Sequence, residues 1–331
     1  MRVALLMDEQ QRVDGDPSLT SRQALRHAPM EYYLARALRE LGHDVAIVPS
    51  ISGKQLVAAL AKAAPEVVFN ATEQMYRRRT EDAHIAALLE LLRLPYTGAS
   101  PASLLLCRDK GGSKTLVASA GVPVPPFAVS TNGIRSLRGL PPFPLVVKPL
   151  SGDASEGISL RSVVNDARHL EERLRLVHRR YHDAAIVESF ILGLDIYVFV
   201  LEGRTLRILD PQKLTIRGKG ASRSMATSHA KYNDAYRRRW GIHHEPANLD
   251  VVTLRAIRRH VRQLWPVLKL RDYARIDFRL TPSGEIYFIE ANPNPGFSPA
   301  SRAQTWPWND YLAAVRTLIG NAVKRGASLS R

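Results

Sequence analysis

The sequence predicts an α/β protein with a parallel, helix-covered sheet at its amino end and a charged β-hairpin near its carboxyl end. Short apolar runs alternate with helical patterns over roughly the first hundred residues, the order of a parallel sheet. Two strand-like runs, Arg275 to Leu280 and Ile286 to Glu290, flank the turn formers Thr281-Pro282-Ser283-Gly284. The 331 residues, 45% hydrophobic and 24% charged, suffice for two or three packed units of ordinary globular composition.

Val3 to Met7 reads as a buried strand, and Ser18 to Leu41 carries a helical pattern ending at Gly42. Asp44 to Pro49 is the second strand, Ile51 to Ala64 a helix, and Glu66 to Asn70 the third strand. In parallel sheets function gathers at the carboxyl ends of strands, here Met7-Asp8-Glu9 and Asn70-Ala71-Thr72-Glu73. Glu81 to Leu92 is an amphipathic helix, followed by Leu94-Pro95-Tyr96-Thr97-Gly98. A strand from Phe143 to Pro149 then delivers Lys148 into the small-residue loop Leu150 to Ile158. An ammonium beside such a loop suits phosphate, because Gly and Ser let backbone N–H groups come close to phosphate oxygens. Asn165 to Tyr181 is a helix, and Ala184 to Ile191 and Ile196 to Leu201 are strands. Thr215 to Arg239 is long, polar and basic, and a loop of that length is usually functional or disordered. Val251 to Lys269 and Trp308 to Val323 are helical, and Gly326 to Arg331 reads as a frayed tail.

The hairpin carries the chemistry. Side chains alternate along a strand, so Arg275, Asp277 and Arg279 share one face while Ile276, Phe278 and Leu280 face a core. On the second strand Glu290 and Asn292 share a face. Paired antiparallel, Asp277, Glu290 and Asn292 converge as oxygen ligands beside Arg275, a hard donor set suited to Mg²⁺. Taken alone, an edge hairpin with a solvated charged face explains the same residues.

Arg-Ile-Asp-Phe at 275–278, followed by Glu-Ala-Asn-Pro-Asn-Pro-Gly at 290–296, resembles the metal-binding end of the ATP-grasp ligases. The pattern is most similar to the D-alanine–D-alanine ligase group. Phe69-Asn70-Ala71, Leu94 to Gly98, Asp109-Lys110 with Lys114, and Gly121 to Phe127 are similar to further segments of that group. The resemblance implies an ATP-grasp fold in three units: an N-terminal parallel-sheet substrate domain (1–98), a small central lid (99–190), and a C-terminal mixed-sheet catalytic domain (191–331). It implies that Lys110, Lys148 and Ser155 attend the ATP phosphates. Glu188 would face the adenine amino group beside the backbone of Ser189 and Ile191, and Asp195, in place of the family's Glu, would take the ribose hydroxyls. Asp277, Glu290 and Asn292 would hold Mg²⁺, two ions in the family, with Mn²⁺ as the alternative metal. Arg275 and the backbone near Gly296 would stabilise the transferring phosphate and the tetrahedral oxygen. Lys231 and Tyr232, in an Ala-Lys-Tyr triplet, would belong to a loop that closes over the substrates. The implied reaction joins a small-molecule carboxylate to an amine through an acyl phosphate.

The substrate half departs from the family. The stretch Met7 to Asp14 lacks the family's early Gly-x-Ser-x-Glu-like loop, Glu73 stands where the family has His, and Ala154 stands at a Ser position. Ser301 aligns with the Ser that takes the acceptor carboxylate, while Arg302 replaces an apolar residue and could bind a carboxylate bidentately. The reading is therefore a D-alanine–D-alanine-ligase-like enzyme with a different acid, a different amine, or both. A ligase extending a peptide or natural product, and a non-catalytic ATP-binding module, remain as alternatives.

The formal charge is +16, with Arg spread through the chain and short clusters at 77–79, 179–180 and 237–239. There is no basic tail or recognition-helix pattern, so a nucleotide substrate accounts for the charge better than nucleic acid does. The single Cys107 excludes an internal disulfide and reads as a small buried hydrophobe. No apolar run approaches the ~20 residues of a membrane span. The start is too short for a signal-peptide core, which gives the cytoplasm as the expected location. A homodimer is expected by analogy with the family.

Overall fold

A computed structural model describes residues 1–11, 30–137, 139–152, 157–216, 234–299 and 305–329. The first layer is built from β1 (Arg2–Met7), α1 (Met30–Glu40), β2 (Asp44–Pro49), α2 (Gly53–Ala63), β3 (Val67–Asn70) and α3 (Asp82–Leu91). The strands are parallel in the order β2-β1-β3. β1 is apolar on both sides because both are covered. Val3, Leu5 and Met7 pack with Leu34 and Leu38 of α1, while Ala4 and Leu6 pack with Leu56 and Leu60 of α2 and Ile85 and Leu89 of α3. Ser52 caps α2 by accepting the Gln55 N–H. Beyond β3 the sheet is extended by the Pro95–Thr97 stretch. The Val68 N–H donates to the Pro95 carbonyl (2.8 Å), and the Thr97 N–H donates to Val68 (3.0 Å).

Two short helices follow, α4 (Pro101–Arg108) and α5 (Lys110–Ser119). Asp109 ends one and caps the other, taking the N–H groups of Gly111 and Gly112 at 3.0 Å. Next come β4 (Phe127–Ser130), β5 (Leu145–Pro149), β6 (Val163–Val164), α6 (Ala167–Tyr181) and β7 (Ala185–Ser189). These strands form a small sheet in the order β4-β7-β5-β6. Leu145, Val147 and Val187 on its inner face meet Leu170, Leu174 and Val177 of α6.

The third layer holds β8 (Leu194–Glu202), β9 (Leu206–Ile208), β10 (Gln212–Thr215), α7 (Asp234–Trp240), β11 (His243–Pro246), α8 (Val251–Val267), β12 (Tyr273–Leu280), β13 (Ile286–Asn292) and α9 (Trp308–Leu329). Its path is β11-β10-β8-β12-β13, with β9 on β8. The mixed sheet expected here is antiparallel in every described pairing. Short turns join β8 to β9 and β12 to β13, and only antiparallel neighbours can be joined that way. One face packs on Ile257, Val261 and Leu264 of α8, and Cys107 and Val117 of the two short helices join that same core. The other face brings Phe199 and Tyr273 against Phe297, Tyr311 and the first sheet.

The closing helix runs to Leu329, beyond the frayed tail expected from Gly326. Arg325 pairs with the fully buried Asp272, and a side chain at Gly326 would run into the Pro95 ring. Long-range anchoring therefore holds a segment whose own sequence reads as loose. Among the described residues no helix is long and apolar enough to cross a membrane.

Candidate active site

The hairpin places its charged residues as their alternation demands. Asp277 lies directly opposite Glu290, and Arg275 opposite Asn292, so all four approach one face of the sheet. A register shift after Asp277 separates this end from the rest of the ladder. Arg275 grips Asp277 with two bonds, Nε to Oδ1 at 2.7 Å and Nη2 to Oδ2 at 3.0 Å. Burial works against the guanidinium charge, but Asp277 outweighs it and its pKa is raised. The Asn292 side-chain oxygen accepts the Asn294 N–H at 3.1 Å, which fixes its direction. Two carboxylates and an amide oxygen form a partial hard-donor set that leaves positions for phosphate oxygens and water, as magnesium favours. Among the described residues there is no cluster of three or more His, Cys, Asp or Glu side chains to compete with it.

Two cavities meet at Glu290, which lines both. The first is mostly apolar and lies between the small sheet and the large one. Lys148, Glu188, Ser189, Ile191, Asp195 and Asp277 line it, so it gathers much of the expected nucleotide set. Glu188 is 3% exposed, with Oε1 3.0 Å from Lys148 Nζ and 3.6 Å from Lys114 Nζ. Burial opposes its charge, but the two ammonium groups hold its pKa below the usual value. A carboxylate held ionised beside an apolar slot fits a purine amino group. Asp195 is braced by Arg279 Nη1 at 2.7 Å, and Arg279 Nε donates to the Ile191 carbonyl at 2.9 Å.

The second cavity, about 170 Å³, is polar. Lys110, Arg275, Glu290, Asn292 and Gly296 line one part and Glu73 another. A Cβ at Gly296 would meet nothing within 4 Å, so the backbone there faces open space. Lys110 spans the gap to the small sheet, donating to the Gly152 carbonyl and, at 3.5 Å, to that of Leu150. The two strand ends flagged in the sequence also meet, because Asp8 accepts the Glu73 and Gln74 N–H groups at 3.2 Å. Ser155, Lys231, Tyr232, Ser301 and Arg302 lie outside the described residues.

Two charged residues near the apolar cavity, Lys114 and Arg279, were named in the sequence reading but given no role of their own. Lys114, fully buried, donates to the Ile289 carbonyl at 2.8 Å. Burial lowers its pKa to about 8, against the pull of Glu188. The available signal was its spacing, because Lys110 and Lys114 stand four apart on one helix face. Arg279 shares the hairpin face of Asp277, but its partners come from β8 and the preceding loop.

At the first-sheet end, burial raises Asp8 to about 6 and Glu31 to about 7, with Glu73 adding to both. The start of α1 favours negative charge by only about 0.3–1 kcal/mol, and at Glu31 burial wins. Both folded pKa values exceed the unfolded ones, so the folded state holds more protons and stability falls as pH rises from about 4 to about 7. Glu31→Gln should therefore raise Tm at pH 8 and change it little at pH 5, read by thermal denaturation across pH. Parallel wild-type and variant curves would refute this.

The chain matches the family described as D-ala D-ala ligase C-terminus over residues 116–314. It is 31% identical over 300 residues to the uncharacterized protein y4sG of Sinorhizobium fredii, covering 87% of this chain and 86% of that one. It is 30% identical over 268 residues to the D-alanine–D-alanine ligase of Syntrophotalea carbinolica, with 81% of each chain covered. The crystal structure of D-alanine–D-alanine ligase from Bacillus anthracis complexed with ATP superposes with a TM-score of 0.71 at 19% identity, covering 99% of both chains. The three-sheet architecture is thus the ATP-grasp fold, and the chain belongs to the D-alanine–D-alanine ligase family.

Proposed function

We propose that this protein is an ATP-dependent carboxylate–amine ligase that forms an amide bond through an acyl phosphate. The observation that carries the reading is Glu290, opposite Asp277, at the junction between an apolar cavity fit for a purine and a polar cavity fit for the reacting groups. In the reaction the acid's carboxylate attacks the γ-phosphorus of ATP and ADP leaves. The amine nitrogen then attacks the acyl carbon, inorganic phosphate departs, and the nitrogen gives up its proton. Such transfers depend on charge neutralisation and alignment more than on covalent catalysis.

In this reading the adenine amino group meets Glu188, the backbone of Ser189 and Ile191 borders the base, and Asp195 receives the ribose hydroxyls. Lys148 and Lys110 attend the phosphates, with Ser155 as the loop's hydroxyl. Asp277, Glu290 and Asn292 would hold magnesium, two ions by family analogy with manganese as substitute, and the metal would neutralise phosphate charge. Arg275 and the N–H near Gly296 stabilise oxygen charge at the reacting carbon. Lys231 and Tyr232 close the site against water, which would hydrolyse an acyl phosphate. Glu73, Ser301 and Arg302 act on the substrates, taken to be small amino-acid-like molecules. Three units, 1–98, 99–190 and 191–331, would carry these parts in a cytoplasmic homodimer.

The test is phosphate release from ATP and Mg²⁺ with amino acids offered as acid and amine. Release that requires an acid supports the reading, and ATP binding without release under any pair refutes it. Glu188→Gln tests the nucleotide assignment. Losing the charge between Lys114 and Lys148 should raise the KM for ATP about tenfold, the equivalent of one charged hydrogen bond. An unchanged KM would remove Glu188 from the nucleotide site.

A further inference from the structure

Lys114 is a buried charge for which the proposed reaction has no direct use. It sits on α5 with no exposed surface and does not border the apolar cavity, so its partners are protein groups. Its Nζ donates to the Ile289 carbonyl at 2.8 Å and to the Phe288 carbonyl at 3.3 Å, both on β13. It also stands 3.6 Å from Glu188 Oε1 on β7. Carbonyls alone would be served by a neutral donor, and an ammonium taken out of water is costly unless a charge answers it. Burial, reinforced by Lys148, works to discharge Lys114. Glu188 and Glu290 oppose that, and a pKa of about 8 leaves the group cationic at neutral pH.

The two cations beside Glu188 are not equivalent. Lys148, 3.0 Å from the same Oε1, borders the cavity, where a bound phosphate would compete for it. Lys114 meets no such competitor. Both cations approach Oε1, which leaves the other carboxylate oxygen to the cavity that Glu188 borders. An ionised carboxylate only accepts hydrogen bonds, so it welcomes an amino group on a base and disfavours a carbonyl oxygen in the same place.

Resting on the assignment of Glu188 to the adenine amino group, we infer that Lys114 is a positioning residue for base selection. From behind the cavity wall it holds the Glu188 carboxylate ionised and oriented, and so sets the preference for a 6-aminopurine nucleotide. No bond is made or broken at Lys114, and it acts only through Glu188.

The experiment compares ADP with purine riboside 5′-diphosphate, which differs from ADP only in lacking the 6-amino group. Calorimetric titration with Mg²⁺ at pH 7 reads both affinities without any acid or amine substrate. Wild type should bind ADP about 10- to 100-fold more tightly than the analogue, the worth of a charged hydrogen bond. In Lys114→Met and Lys114→Gln that ratio should fall to about fivefold or less, the range of a neutral hydrogen bond. Affinity for the analogue should stay within about threefold. Lys114→Gln keeps a donor for the Ile289 carbonyl, so it decides the matter if Lys114→Met fails to fold. Equal weakening of both nucleotides would make Lys114 a structural tie and overturn the proposal, as would unchanged binding. Glu188→Gln, run alongside, separates the two readings. If it loses the preference while both Lys114 variants keep it, the adenine assignment stands and the role of Lys114 falls. A wild type indifferent to the 6-amino group would sink the adenine assignment and this inference with it.

Discussion

Replacing Glu290 with Gln should lower kcat by about three orders of magnitude while leaving the fold intact. Glu290 borders both cavities and faces Asp277 across the hairpin, so its charge acts where phosphate must be neutralised. A thousandfold loss corresponds to about 4 kcal/mol of transition-state stabilisation, within reach of one preorganised electrostatic group. Asp277→Asn should match the kinetic loss and add instability, because it removes the carboxylate that Arg275 holds with two bonds. A buried cation stripped of its partner costs several kcal/mol. Single-turnover phosphate release and thermal denaturation, run side by side, separate the two effects. Full turnover in Glu290→Gln would remove the hairpin from the chemistry.

The hairpin was legible because strand alternation is a local rule. Period two puts Asp277 with Arg275, and a run ending Glu-Ala-Asn puts Glu290 with Asn292. The first sheet was legible for a similar reason, since strands covered on both faces read as continuous apolar runs. What escaped depends on contacts between distant segments. Lys114 acquires its setting from Glu188, which arrives on β7 of another sheet. Arg108 and Asp82 are 26 residues apart, and nothing local announces the pair. The tail misled in the opposite direction. Gly326 and the small residues after it signal a loose end, yet Arg325 one residue earlier is tied to Asp272. Ser155, Lys231, Tyr232, Ser301 and Arg302 rest on the family pattern alone, which reaches further than any periodicity.

That tie is the second place where a single substitution should cost most. Asp272 precedes β12 with a left-handed backbone (φ 61°), a conformation that Asp tolerates better than most residues, and it is fully buried. Its Oδ1 and Oδ2 each accept from Arg325 at 2.7 Å, and Oδ2 also takes the Gly98 N–H at 2.7 Å. Arg325 donates onward to the Tyr96 carbonyl at 2.8 Å, so one carboxylate joins the first sheet's edge, the large sheet and α9. Asp272→Ala leaves a guanidinium and a backbone N–H without their acceptor, for an expected loss of about 3–5 kcal/mol. At about 2–4 °C per kcal/mol for a chain of this order of size, Tm should fall by about 10 °C. Arg325→Ala should cost less, because its side chain is 31% exposed and loses less on release to water. The double variant should be less destabilised than the two singles summed, since each single change already breaks the same pair. Strict additivity would show that the two residues act separately. Activity should fall as well, because Gly98 and Ala99 sit against Asn294: a Cβ at Gly98 would lie 2.7 Å from Asn294 Oδ1, and the Ala99 N–H donates to that oxygen at 2.9 Å. Asn294 in turn hydrogen-bonds Asn292, so loosening the knot at Asp272 reaches the proposed metal ligand through two contacts.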